Sequence, residues 1–232
     1  MKGAGKFISV LLFVFILVGC SKEEREASSL YEALLEDIAE IDALSSDASI
    51  SDKLTAYSKA RHKIETIRTR YADTKKGDEL QGNAVLASSQ SVEDILLKAD
   101  AVEDEASELL SENQAEFIVV STIPIPEVRN SRLESHGISL ARQGDIEEAK
   151  AVVPHLINSL SMGIVQLEIA KAYQQNGDLE EAMRLSLRAN DTISQYDFDE
   201  DICSTENCDN EETRKRLVET ELRMVRTDLY SS

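Results

Sequence analysis

The feature that most constrains this chain is a six-residue segment that occurs twice. Gly144-Asp145-Ile146-Glu147-Glu148-Ala149 returns 33 residues later as Gly177-Asp178-Leu179-Glu180-Glu181-Ala182. A period of this size marks stacked helical hairpins, because one hairpin cannot bury its apolar face alone and needs a neighbour of the same shape. Each position has a physical role. Glycine tolerates the left-handed conformation that ends one helix, aspartate caps the next, the two glutamates suit that helix's positive end, and alanine is small where two helices approach. With only nine glycines, three prolines and no tryptophan, and with Ala, Leu, Glu and Ile recurring, the chain is built from good helix formers. The expected fold class is all-α, antiparallel helical hairpins stacked as a short α-solenoid.

The surroundings of the two segments carry a longer pattern. The first copy reads Leu133-x2-His136-Gly137-x2-Leu140, then Ala149-x3-Val153; the second reads Gln166-x2-Ile169-Ala170-x2-Tyr173, then Ala182-x3-Ser186. This resembles the tetratricopeptide repeat, whose outline is Trp-x2-Leu-Gly-x2-Tyr, then Ala-x3-Phe, then Pro. The small residues and the apolar residue at the Tyr place are kept. Leu133 and Gln166 replace Trp, His136 replaces Leu, Ser186 replaces Phe, and Ser161 and Ser194 fall where Pro would close each copy. Pro154 lies inside the expected second helix and should bend it. The resemblance covers 129–196. It implies a TPR-like solenoid with Gly137, Gly144, Ala149, Ala170, Tyr173, Gly177 and Ala182 as packing positions, and a groove for a segment of another protein. A worn copy is suggested by Ala60-x3-Ile64, Ile67 and Tyr71-Ala72-Asp73-Thr74.

The N-terminus reads as an address. Lys2 and Lys6 supply charge, Phe7 to Val18 an apolar run, and Leu17-Val18-Gly19-Cys20 an exit. The run is short of the roughly 20 apolar residues that span a bilayer, so residues 1–19 are expected to be a processed signal peptide. The exit resembles the lipobox of bacterial lipoproteins. That resemblance implies lipidation of Cys20, anchoring to the cell envelope, and, with Ser21 following and a diderm host, an outer-membrane position facing the periplasm. Two or three acyl chains hold durably where one holds marginally.

Beyond Cys20, polar residues 20–28 are expected to form a tether. Residues 29–116 form an N-terminal helical region: Leu30, Leu34, Leu35, Ile38, Ile41 and Leu44 recur at helical spacing, as do Leu54, Tyr57, Ala60, Ile64, Ile67 and Tyr71. A turn at Ser45–Ser51 separates these helices, with Ser49 or Ser51 as cap. Lys75-Lys76-Gly77-Asp78 reads as a break. Between Val92 and Glu116 nine acids face Lys98 alone, a solvated helix face or a surface for a basic partner. Residues 117–128, with Ile123-Pro124-Ile125-Pro126, read as a linker. Residues 197–212 read as an acidic loop holding Cys203 and Cys208, and 213–232 as a helix capping the last repeat.

Two cysteines in an exported chain have the parity of one disulfide, Cys203 to Cys208, pinning a local turn. A metal site would need further ligands. Asp197-x-Asp199-x-Asp201 departs from the EF-hand loop, since Ile202 and Cys208 stand where Gly and Glu are required. The net charge is −19, or −21 once Lys2 and Lys6 leave with the signal, which disfavours nucleic acid and anionic headgroups as partners. His62, His136 and His155 are scattered, and no HExxH, GxSxG or phosphate loop is present. No catalytic residue, metal ligand or cofactor is therefore assigned. The leading expectation is a membrane-anchored scaffold for other envelope proteins, attached to the lipid bilayer through Cys20. The alternative is an enzyme or small-ligand-binding lipoprotein with its site between helical regions.

Overall fold

The structure is a computed structural model that describes residues 21–81, 84–86, 90–196 and 205–231, with side chains in the last stretch from Glu212 to Tyr230. Among the described residues the chain is all-α, with ten helices, one short 3-10 turn and no strand; Val85 and Ser91 form an isolated antiparallel bridge. It divides into two compact units at Glu105 and Ala106. The expected boundary at 117–128 is thus displaced, because most of that stretch is helical.

The first unit is organised around α1 (Lys22–Ala43) and α2 (Ile50–Arg70), which pack on each other. α1 begins where a tether was expected. Ser21 accepts a hydrogen bond from the Glu24 amide at 3.1 Å, Glu23 and Glu24 lie in the first turn, and Ala27 is fully buried. The charged residues of the expected tether include acids that suit a helix N-terminus. Ser49 caps α2 through the Asp52 amide. Leu34, Ile38, Ala60, Ile64 and Ile67 form the core between the two, closed by Leu80, Leu86, Val92 and Ile95.

The expected break at Lys75–Asp78 is instead a short helix, α3 (Lys75–Leu80), capped by Thr74, whose hydroxyl accepts from the Gly77 amide at 3.0 Å. Glycine is required at 77 because a Cβ there would fall 2.1 Å from the Tyr71 carbonyl oxygen. α4 (Val92–Leu109) follows, capped by Ser91 and Asp94. On its acidic face Asp100 and Glu103 pair with Arg61 of α2.

The second unit contains α5 (Glu112–Ser121), α6 (Pro126–Gln143), α7 (Ile146–Val152), α8 (Ser159–Gln175), α9 (Leu179–Ser194) and α10 (Thr205–Ser231). A Ser111/Gln114 capping box starts α5, so Phe117 to Val120 are helical and only Thr122 to Ile125 remain of the expected linker. Pro126 then opens α6 at its first turn, where the missing amide proton costs nothing. Pro154 ends α7 rather than bending it: Val153–His155 turn as a 3-10 helix. α8 is buried almost all round and packs against α6, α7, α9 and α10. One of its faces supplies Val165, Ile169 and Ala170 to a core with Leu133, Leu140 and Val152; the other supplies Leu160, Ile164 and Leu167 to a core with Ala189 and Ile193.

Of the acidic loop expected over 197–212, residues 197–204 lie outside the described residues and the rest is helical from Thr205 onward, with Glu206, Asp209, Glu211 and Glu212 near the N-terminal end of α10 where the dipole favours acids. Val218, Leu222, Val225 and Leu229 of α10 lie in the core shared with α8 and α9.

Candidate functional site

The repeated segment builds the same turn twice. In the first copy the Gly144 amide donates to Ala141 O at 3.2 Å and the Asp145 amide to Leu140 O at 3.0 Å; in the second, Gly177 donates to Gln174 O at 3.1 Å and Asp178 to Tyr173 O at 3.0 Å. This pair of bonds is the Schellman closure of a helix. Both glycines are left-handed, with φ of 90° and 81°, and a Cβ on either would meet nothing within 4 Å. Conformation alone therefore demands glycine at these two places.

The remaining packing positions lie where two helices meet. Ala149, Ala170 and Ala182 are fully buried. At Gly137 an added Cβ would lie 3.0 Å from Val165 Cγ1 and 3.3 Å from Val152 Cγ1, so α6, α7 and α8 converge there. Tyr173 is partly buried and its hydroxyl accepts from Lys150 Nζ at 2.5 Å. Glu147, and then that hydroxyl, hold the Lys150 ammonium above the ordinary lysine range. Cys20 and Cys203 lie outside the described residues, and of the expected pair only the backbone of Cys208 is described, within α10.

Two buried polar clusters brace the second unit. In one, Asn130 Nδ2 donates to Ser161 Oγ at 2.8 Å, Ser161 Oγ donates to Glu134 Oε2 at 2.5 Å, and Glu134 pairs with Arg214. Asn130 Oδ1 also accepts from the Ile157 amide at 2.8 Å. Ser161, where the repeat outline has Pro, thus joins α6 to α8. In the other, Glu168 pairs with Arg142 at 3.0 Å and Lys171 at 2.6 Å, and Lys171 also pairs with Glu221. Burial pushes the Glu168 carboxyl up, but the bonds from Lys171 and Arg142 prevail and hold it below its usual range. The first unit has the opposite balance at Asp37, where burial outweighs the bond from Lys63 and leaves the carboxyl raised. Each cluster joins opposite charges, and the Ser161 hydroxyl that donates to Glu134 is buried with it.

A different arrangement surrounds His136. Its side chain is 2% exposed, and its Nδ1 lies 3.0 Å from Glu116 Oε2. An ionised carboxylate only accepts hydrogen bonds, so Nδ1 carries the proton and, in the neutral ring, Nε2 is a bare acceptor. That Nε2 is buried and has no partner. Phe117 stacks on His136, ring centroids 6.5 Å apart at 26°, and meets His155 edge-on at 5.1 Å. Beside the imidazole is a cavity of ≈ 210 Å³, lined by Phe117, Leu140, Ala151 and Val152, with Asn113, Gln114 and Glu148 as its polar members. Nothing in the sequence pattern links Glu116, Phe117, His136 and His155. The only local signal was a histidine at a position where the repeat outline asks for leucine.

The second copy has its own cavity, of ≈ 310 Å³, where Val153, Pro154, Ile169 and Leu185 meet Lys150, Arg184 and Arg188 around the buried Gln166. The Gln166 Oε1 is unpaired. Glu147 holds Lys150 and Glu181 holds Arg184, so little free positive charge faces this space. No family model, curated protein or solved structure matches this chain. Among the described residues no three His, Cys, Asp or Glu side chains converge as metal ligands, and no helix is long and apolar enough to cross a membrane.

Proposed function

We propose that this chain is a lipid-anchored protein of the bacterial cell envelope that acts as a scaffold, its C-terminal unit forming a short TPR-like array that holds a segment of another envelope protein. The supporting observation is the recurrence of one hairpin: the same pair of turn hydrogen bonds, the same left-handed glycine and the same buried alanine appear in α6–α7 and, 33 residues on, in α8–α9. Repeats of this kind present extended surfaces suited to binding chain segments rather than deep cavities suited to metabolites. In this reading acyl chains on Cys20 carry the membrane attachment, and in a diderm host Ser21 after the lipidated cysteine directs the protein to the outer membrane, facing the periplasm.

Two measurements test it. Intact mass of the mature protein should show acyl chains on Cys20 and no residues before it, and Cys20→Ser should release the protein from the membrane. Photo-crosslinking in intact cells from positions on the second unit should capture a discrete envelope protein. Background labelling alone at every position would refute the scaffold.

A further inference from the structure

The two copies differ most tellingly at one matched position. Ile169 in the second copy is fully buried among apolar neighbours, whereas His136 in the first is buried with one nitrogen unsatisfied. A histidine at a core position carries an unpaired acceptor that an isoleucine does not, and a buried unpaired polar group is costly. The imidazole that carries it is part of the wall of a cavity.

We propose that the His136 cavity receives the phenol or indole ring of a Tyr or Trp side chain presented by a partner protein, whose O–H or N–H donates to His136 Nε2. The inference rests on the scaffold reading and names the anchor that scaffold would hold. Size supports an anchor side chain: ≈ 210 Å³ falls below the roughly 300–1,000 Å³ of small-molecule sites, yet exceeds the roughly 150 Å³ of a cavity that admits benzene. The chemistry selects among rings. In the neutral ring, with the Nδ1 proton toward Glu116, Nε2 asks for a donor and phenylalanine offers none. Glu148 and the nearby Glu116, with no cation in the lining, repel carboxylates and phosphates. The wall is almost wholly apolar, which disfavours lysine and arginine heads that would lose hydration there. Phe117 supplies an aromatic wall already engaged with His136 and His155. Tyr and Trp are also the side chains that most often anchor protein interfaces.

The full acylated chain in lipid nanodiscs, with its histidine rings ¹⁵N-labelled, provides the test. N-acetyl-tyrosinamide and N-acetyl-tryptophanamide should move the His136 Nε2 resonance saturably, and N-acetyl-phenylalaninamide should bind about tenfold more weakly, the loss of one hydrogen bond. His136→Leu should erase that discrimination. Should His136→Leu fail to fold, Ala151→Phe, at an exposed lining position, should fill the cavity and abolish binding of all three probes. Free p-cresol serves as the arm for an unattached ring. If it binds while both amides do not, the occupant is a small molecule and the proposal falls. Equal binding of the phenylalanine probe, or a His136 resonance moved by none of the probes, would likewise overturn it without touching the scaffold reading. Capture of no protein from a photo-crosslinker at Ala151 in cells, with the amides still binding, would remove the partner from this cavity and overturn the proposal, while the scaffold reading falls only if every other position on the second unit also gives background labelling.

Discussion

The two hairpins of the second unit share a turn and little else. In α6–α7 Pro154 stops the second helix after seven residues, while α9 runs for 16. The first copy puts Leu133 and His136 where the second puts Gln166 and Ile169, and each copy leaves one buried polar atom unpaired, His136 Nε2 in one and Gln166 Oε1 in the other. The turn is kept because it is a backbone requirement, met by a left-handed glycine and a small residue at a close approach. Interior side chains are free to diverge, and the divergence concentrates where a cavity adjoins the helix pair. A repeat therefore advertises its scaffold through what recurs and its binding chemistry through what does not.

The largest test of that comparison transplants the difference. Ile169→His would exchange a fully buried aliphatic side chain for an imidazole with no carboxylate beside it, and should cost about 3–5 kcal/mol by combining lost apolar packing with an unpaired polar group. Urea unfolding followed by circular dichroism reads it, and a cost under 1 kcal/mol would mean the two positions are not distinct. Next, Gly144→Ala and Gly177→Ala should each destabilise by about 1–2 kcal/mol, the strain of a left-handed residue with a Cβ, and by the same amount. Unequal losses would break the equivalence of the two turns.

The reciprocal swap, His136→Ile, should stabilise the second unit by about 1 kcal/mol through removal of the orphaned acceptor, while abolishing discrimination between tyrosine and phenylalanine probes. A destabilised variant would show instead that the imidazole is already satisfied. The smallest effect concerns acid. Glu168 belongs to the second copy, and Ser135 stands at the matching place in the first. Because the folded carboxyl is held below 4.5, its contribution is fully present above that value and lost as pH falls through the depressed one. Glu168→Gln should flatten the acid limb of the stability profile there, and an unchanged limb would remove the pair with Arg142 and Lys171 from the account.

Legibility tracked distance along the chain. Helical periodicity placed the core residues Leu34, Ile38, Ile64 and Ile67, and the six-residue segment located both turns. The departures are also local, and each has a cap behind it: Ser21 with Glu24 and Thr74 with Gly77 start helices in stretches expected to be tether and break, and Ser111 with Gln114 starts one that runs on through Phe117–Ser121 of the expected linker. In these stretches charge, glycine and proline mask the side chains whose capping hydrogen bonds start a helix. Gly163 escaped notice because its constraint is a long-range approach: a Cβ there would fall 2.2 Å from Ile193 Cγ1.

What the sequence by itself determined is the all-helical class and the paired turns, because helix periodicity, capping and left-handed glycine act over a handful of neighbouring residues. Only the tertiary structure decided that Phe117 and His136 share a cavity with Val152 while Glu116 meets the imidazole, that Ser161 answers Asn130 and Glu134, and that Arg214 reaches a carboxylate 80 residues away. Such sets assemble when helices distant in sequence pack, so no spacing along the chain encodes them.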